Sequence, residues 1–140
     1  MAKNLIIDDQ SMLALVEESI AQDHNVTIMV IGQSMAPIIR GGRDSVELMP
    51  IKEPLKKGDI IFFRYQERFI LHRIISIEDD IIRARGDSII DKFETIKKAN
   101  VVAKVKYIIK HNRKRILPNS IHYKILTTLR QLIIKKRPNR

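Results

Sequence analysis

Apolar residues recur at helical spacing between Asp9 and Ala21, where Met12, Leu13, Leu15, Val16 and Ile20 form a stripe and Asp8, Asp9, Glu17 and Glu18 lie on or near the opposite face. This spacing predicts one amphipathic helix. From Val26 the pattern changes to short runs rich in Ile, Val and Phe. The runs Val26–Ile31, Ser45–Met49, Asp59–Tyr65, Phe69–Ile77, Ile81–Arg85 and Val101–Ile109 are separated by Gly, Pro and charged clusters, which predicts strands. After Pro118, the residues Ile121, Ile125, Leu126, Leu129, Leu132 and Ile133 fall on one face of a second helix, whose other positions include Lys124, Arg130, Lys135 and Lys136. The expected organisation is an N-terminal helical segment over 1–25, a mainly β domain over 26–110 and a basic tail with an amphipathic helix over 111–140.

A hydrophobic core of useful size takes on the order of 100 residues, so 140 residues suit one domain and one site. Charge is unevenly placed: residues 1–50 carry a net −4, residues 51–103 a net +2 and residues 104–140 a net +12. The positive excess therefore belongs to the tail, and a basic tail reports attraction to phosphate. The chain has no Cys, which excludes disulfide and thiolate chemistry. Near the N-terminus only Leu5-Ile6-Ile7 precede two acids, short of the roughly 7–15 apolar residues of a signal-peptide core. The uncharged run from His24 to Ile39 is interrupted by Gly32, Gln33 and Pro37, so it is no transmembrane helix, which needs about 20 apolar residues. A cytoplasmic location is expected.

Three segments carry candidate chemistry. Gly32-Gln33-Ser34-Met35-Ala36-Pro37 follows directly on a strand, so Ser34 sits where strand gives way to turn. Gly32 permits close backbone approach and Pro37 fixes the chain after the serine. In such a turn, N–H groups around Gly32 and Met35 can converge on the Ser34 hydroxyl as an oxyanion hole requires. The same residues also suit an ordinary strand-ending turn.

His72, in Leu71-His72-Arg73-Ile74-Ile75, shares a strand face with Ile70, Ile74 and Ser76, while Phe69, Leu71, Ile75 and Ile77 occupy the other. A strand apolar on both faces is buried on both. Its neutral imidazole could take a proton from a serine hydroxyl, or the residue is a satisfied core histidine. In the third segment, Arg85-Gly86-Asp87-Ser88-Ile89-Ile90-Asp91, a hairpin turning at Asp79-Asp80 would set Asp87 directly opposite His72. Asp87 would then orient the imidazole, or it caps a Gly-Asp turn.

Taken in order, Gly32-Gln33-Ser34-Met35-x-Pro37, Lys57-Gly58-Asp59-Ile60-Ile61-Phe62-Phe63, His72-Arg73-Ile74 and Arg85-Gly86-Asp87 resemble the successive boxes of the type I signal peptidases and the related LexA-like autoproteases, across about residues 26–105. The resemblance implies a coiled β-sheet fold and a serine endopeptidase. Ser34 is then the nucleophile and His72 the general base, as in the Ser-His branch. An acid a few residues beyond the Gly-Asp pair favours Asp91 over Asp87, and both are carried. No metal or organic cofactor is called for, and the substrate is a leader or precursor peptide. The chain departs from the family in having a soluble-looking helix where a membrane anchor usually stands, and in Gly32, which brings no hydroxyl to the oxyanion site. Two rivals remain, a non-catalytic relative that binds peptides by strand addition and a LexA-like regulator. Nucleic acid is disfavoured as a partner, because the N-terminal segment is acidic and the tail offers only Tyr107 and Tyr123 for stacking. The basic helix either packs its apolar stripe against the β domain as a closing element or lies on an anionic membrane surface, which would make the protein peripheral at the inner face.

Overall fold

The computed structural model describes residues 5–6 and 10–119, together with the isolated positions 129 and 132. The chain is mainly β. One open sheet runs in the order β1 (Leu5–Ile6), β2 (Val26–Met29), β3 (Ser45–Met49), β8 (Val101–Ile109), β4 (Ile60–Tyr65), β5 (Arg68–Glu78), β6 (Ile81–Arg85) and β7 (Glu94–Lys97). The short β9 (Arg115–Ile116) pairs with the end of β8. Only β1 with β2 is parallel; the other pairings are antiparallel.

Helix α1 (Gln10–Ala21) lies between β1 and β2. It ends as its sequence allows: Asp23 adopts a left-handed conformation with φ of 66°. Its N–H donates to the Ile20 carbonyl, while the N–H of His24 reaches back to Ser19. These two bonds satisfy carbonyls that the last turn would otherwise leave open. Leu13, Val16 and Ile20 are buried, whereas Leu15, expected on the same stripe, is 55% exposed. Spacing of three and four residues therefore sets the buried face, and Leu15 falls outside it.

The centre of the molecule is β4. Ile60, Ile61, Phe62 and Phe63 are all fully buried. Alternation sends them into two different layers. Ile60 and Phe62 join α1, β2, β3 and β8 in the larger cluster, and Ile61 and Phe63 join Ile74, Ile82, Ala84 and Ile96 in the smaller one. A strand covered on both faces reads as a continuous apolar run, which is how Ile60-Ile61-Phe62-Phe63 reads. The helix thus shares the larger cluster with β2, β3, β4 and β8.

Two hairpins position the site. Between β4 and β5 the turn residues Gln66 and Glu67 both have positive φ, 50° and 62°, the handedness that matches the twist of the flanking strands. Between β5 and β6 the turn is at Asp79-Asp80, as the sequence predicts. The register then shifts between Ile74 and Ser76, so that Ile75 is an extra residue on β5.

Among the described residues, no helix is long and apolar enough to cross a membrane. The amphipathic helix expected after Pro118 falls on residues 120–140, outside the described residues apart from Leu129 and Leu132. Both of those positions are helical and about half exposed.

Candidate active site

Ser34 lies in the loop of residues 30–44 that joins β2 to β3. The loop is closed at its neck: Gly42 N–H donates to the Val30 carbonyl, and Gln33 Nε2 donates to the carbonyl of Gly41. Gly32 has φ of +80°, and a Cβ on Gly41 would overlap the Gly32 carbonyl, so the sequence needs glycine at both places. Met35, Ile38 and Ile39 are buried in the larger core cluster and anchor the loop from below. Ser34 itself is partly buried, held next to the anchored Met35.

The segment following β6 is stitched onto this loop. Ser88 N–H donates to the Ser34 carbonyl at 3.0 Å, and Ser88 Oγ donates to the Gln33 carbonyl at 2.9 Å. Asp87 N–H approaches Met35 Sδ at 3.4 Å. Among the described residues, neither the Ser34 nor the Met35 N–H donates to a backbone carbonyl. Those two groups therefore remain as donors beside the Ser34 hydroxyl.

His72 reaches the serine from the middle of β5, where it is buried at 8% exposure. Its Nε2 lies 3.0 Å from Ser34 Oγ, and its Nδ1 lies 2.5 Å from Glu94 Oε1. Glu94 opens β7 opposite Ala84 of β6, and Ala84 is itself opposite Ile74 of β5, so Glu94 and His72 project from the same face of the sheet and the carboxylate reaches the imidazole across β6. Gly86 directly follows β6, and a Cβ there would sit 2.5 Å from the Ser34 carbonyl oxygen and 3.0 Å from His72 Nε2. An ionised Glu94 only accepts, which fixes the Nδ1–H tautomer and leaves Nε2 to accept from the Ser34 hydroxyl. Phe63 closes one side of the imidazole edge-on, with ring centres 6.4 Å apart.

Asp87 and Asp91, the two carboxylates expected to orient His72, lie elsewhere. Asp87 presents both oxygens to Arg73, each at 2.9 Å, in a two-pronged ion pair. Asp91 is exposed. The cause is the bulge at Ile75. Without it, the hairpin places Asp87 opposite His72; with it, Arg73 pairs with Arg85 and the next position, opposite His72, belongs to Gly86. Glu94 is the residue that the sequence reading missed. Its strand, Glu94-Thr95-Ile96-Lys97, has a single apolar residue and gives no strand signal. Its one distinguishing mark in the sequence is that it is the last acidic residue of the chain.

Arg73 has its own structural task. It is 1% exposed. Besides Asp87, its Nη1 donates to the carbonyls of Gly58 (2.9 Å) and Pro118 (2.7 Å). A buried guanidinium is tolerated only with its donors satisfied, and here the partners come from three separate segments. The Lys57-Gly58-Asp59 box completes the junction: Gly58 N–H donates to the Ile74 carbonyl, and Ile74 N–H donates to that of Asp59. These bonds pin β5 immediately beyond His72.

No known family model matches the sequence, and no curated protein matches it.

Proposed function

We propose that this chain is a serine endopeptidase in which Ser34 is the nucleophile, His72 the general base and Glu94 the acid that orients it. The observation that carries the reading is the continuous run from Ser34 Oγ through both ring nitrogens of His72 to Glu94 Oε1, with spacings of 3.0 and 2.5 Å. Three groups with these roles in this order form the constellation of serine acyl transfer, which is recognised by geometry and not by sequence position. The order of boxes that resembles signal peptidases and LexA-like proteases supports the same reading and extends it to a coiled β-sheet fold of that kind.

The chemistry follows from the donors and acceptors. His72 Nε2 takes the hydroxyl proton as Ser34 Oγ bonds to the scissile carbonyl carbon, and Glu94 stabilises the imidazolium that results. The Ser34 and Met35 N–H groups face the developing oxyanion. The imidazolium then gives its proton to the leaving amine as the C–N bond breaks, leaving an acyl-serine. A water molecule, deprotonated by His72, resolves the ester and restores the serine. The substrate is a leader or precursor peptide presented in extended form. The chain works on the cytoplasmic side, with its basic tail drawing it to an anionic membrane surface.

A fluorophosphonate probe tests the assignment. One adduct per chain is expected, on the peptide containing Ser34, and none on Ser34→Ala or on His72→Ala. A folded parent protein that takes no label and cleaves no peptide is a peptide-binding relative and not an enzyme.

A further inference from the structure

The second half of the Ser34 loop and the turn Lys110–Lys114 that joins β8 to β9 enclose an open depression of about 200 Å³. Its walls carry Arg40 and Arg43 from the loop, and Lys110, His111 and Lys114 from the turn, around a single carboxylate, Asp44. That carboxylate is fully used. Asp44 is 1% exposed and accepts from Arg40 N–H (2.8 Å), Lys110 Nζ (2.6 Å) and His111 N–H (3.0 Å). Lys110 is committed too, since it also donates to the Ile38 carbonyl at 2.8 Å. Among the described residues, the side chains of Arg40, Arg43 and Lys114 are in no ion pair. Three uncompensated cations therefore converge on one concave site.

We propose that this depression binds a phosphate group. Two guanidinium forks and an ammonium offer more donors than one carboxylate can use, and they match the several oxygens and multiple charge of a phosphate or pyrophosphate. The volume is below the roughly 300–1,000 Å³ of sites for larger organic ligands, so the recognised part is the anionic group itself. The site is built. Asp44 and Lys110 lock the loop end to the hairpin, and the turn is rigidified by Arg113 N–H donating to the Lys110 carbonyl and by Lys114 N–H donating to Asn112 Oδ1. The free cations are thus presented from two segments whose separation is fixed. Because one wall is the loop that carries Ser34, an anion bridging both walls also braces that loop. The phosphate comes from a soluble phosphoester or from a lipid headgroup, and the two sources share the same recognition.

Thermal melting of the full chain in sodium pyrophosphate, against sodium chloride of matched ionic strength, tests the proposal without reference to peptidase activity. The parent should show a saturable rise in Tm of roughly 3–5 °C at ten times Kd. The variant Arg40→Ala/Arg43→Ala replaces two exposed side chains and should melt near the parent in chloride, yet lose at least about tenfold in pyrophosphate affinity. Amide chemical shifts of the parent should move at residues 40–44 and 110–114. No rise beyond that in chloride, an undiminished rise in the double variant, or shifts confined to other segments would overturn it. Vesicles containing phosphatidylglycerol then separate the sources. Weaker vesicle binding by the double variant than by the parent assigns the phosphate to lipid, and equal vesicle binding beside the pyrophosphate response assigns it to a soluble ligand.

Discussion

Glu94 Oε1 lies 2.5 Å from His72 Nδ1, and the two residues stand on strands separated by β6. The pairing of Ile74 with Ala84 and of Ala84 with Glu94 puts both side chains on one face of the sheet, so the contact crosses β6. An acid reaching His72 from two strands away depends on the length of its side chain, which is why a glutamate serves here.

That relationship ranks the acidic residues. Glu94→Gln can place its amide nitrogen against Nδ1 and so favour the wrong tautomer, and it should lower kcat by about 10³- to 10⁴-fold with the fold intact. Glu94→Asp, one methylene short, should be intermediate. Asp91→Asn should behave as the parent. Steady-state kinetics on a peptide substrate, with melting curves as the control, distinguish these outcomes; equal activity in the parent and Glu94→Gln would reduce the site to a Ser-His dyad.

Asp87 should report on stability instead. Removing one partner of a buried ion pair strands the other, so Arg73→Met should cost about 3–5 kcal/mol in urea unfolding. Arg73→Lys should recover little of it, since an ammonium cannot bridge both Asp87 oxygens and the two carbonyls it also serves. The double variant Arg73→Met/Asp87→Leu should be less destabilised than the sum of its single changes, because neither charge is then left unpaired. Additive losses would show that the pair contributes no coupling.

The sequence made legible whatever depends on local pattern. β3, β6 and β8 begin and end where their apolar runs do, and the Asp79-Asp80 turn stands where two acidic residues interrupt two strands. Ser34 and His72 were legible because each sits in a segment with its own signature, a Gly/Pro-framed turn and an apolar strand. The third member was not, because a bulge is a property of pairing. Nothing in Ile74-Ile75-Ser76 marks Ile75 as the extra residue, and a shift of one moves every later partner. β7 and β9 escaped for a related reason: strands of 4 and 2 residues with few apolar side chains are defined by the neighbours they pair with.

Asp44 gives the fold an acid limit. Burial alone would raise its pKa, but the hydrogen bonds from Lys110 and from the Arg40 and His111 N–H groups, with the Lys110 charge, hold it below the ordinary aspartate value. The unfolded chain therefore binds the proton more readily than the folded one. The stabilisation is present above the unfolded value and is lost as pH falls through the lower folded value. Urea unfolding of the parent and of Asp44→Asn should differ most at neutral pH. The difference should hold down to about pH 4 and narrow below it. A difference that grows on acidification would reverse the assigned direction.

Gly86→Ala tests whether the site tolerates any side chain between Ser34 and His72. A Cβ at this position meets the Ser34 carbonyl oxygen at 2.5 Å, and His72 Nε2 and Ile89 Cγ1 at 3.0 Å each. Of these, the carbonyl is backbone and cannot rotate away. Gly86 has no positive φ to explain it, so space and not conformation is what the glycine supplies. Relief would have to come from moving the 86–91 segment off the Ser34 loop, which breaks the Ser88 bonds to Ser34 and Gln33, or from displacing the imidazole. A misplacement near 1 Å between reacting groups costs on the order of 100-fold in rate. The variant should therefore lose about that much in kcat while remaining folded by circular dichroism. Its labelling by a fluorophosphonate should slow in parallel, since the same Ser34–His72 distance governs both. Parent-like kcat in Gly86→Ala would mean that the 3.0 Å contact between Ser34 and His72 can be rebuilt with the loop displaced, and that the tight fit at Gly86 serves packing alone.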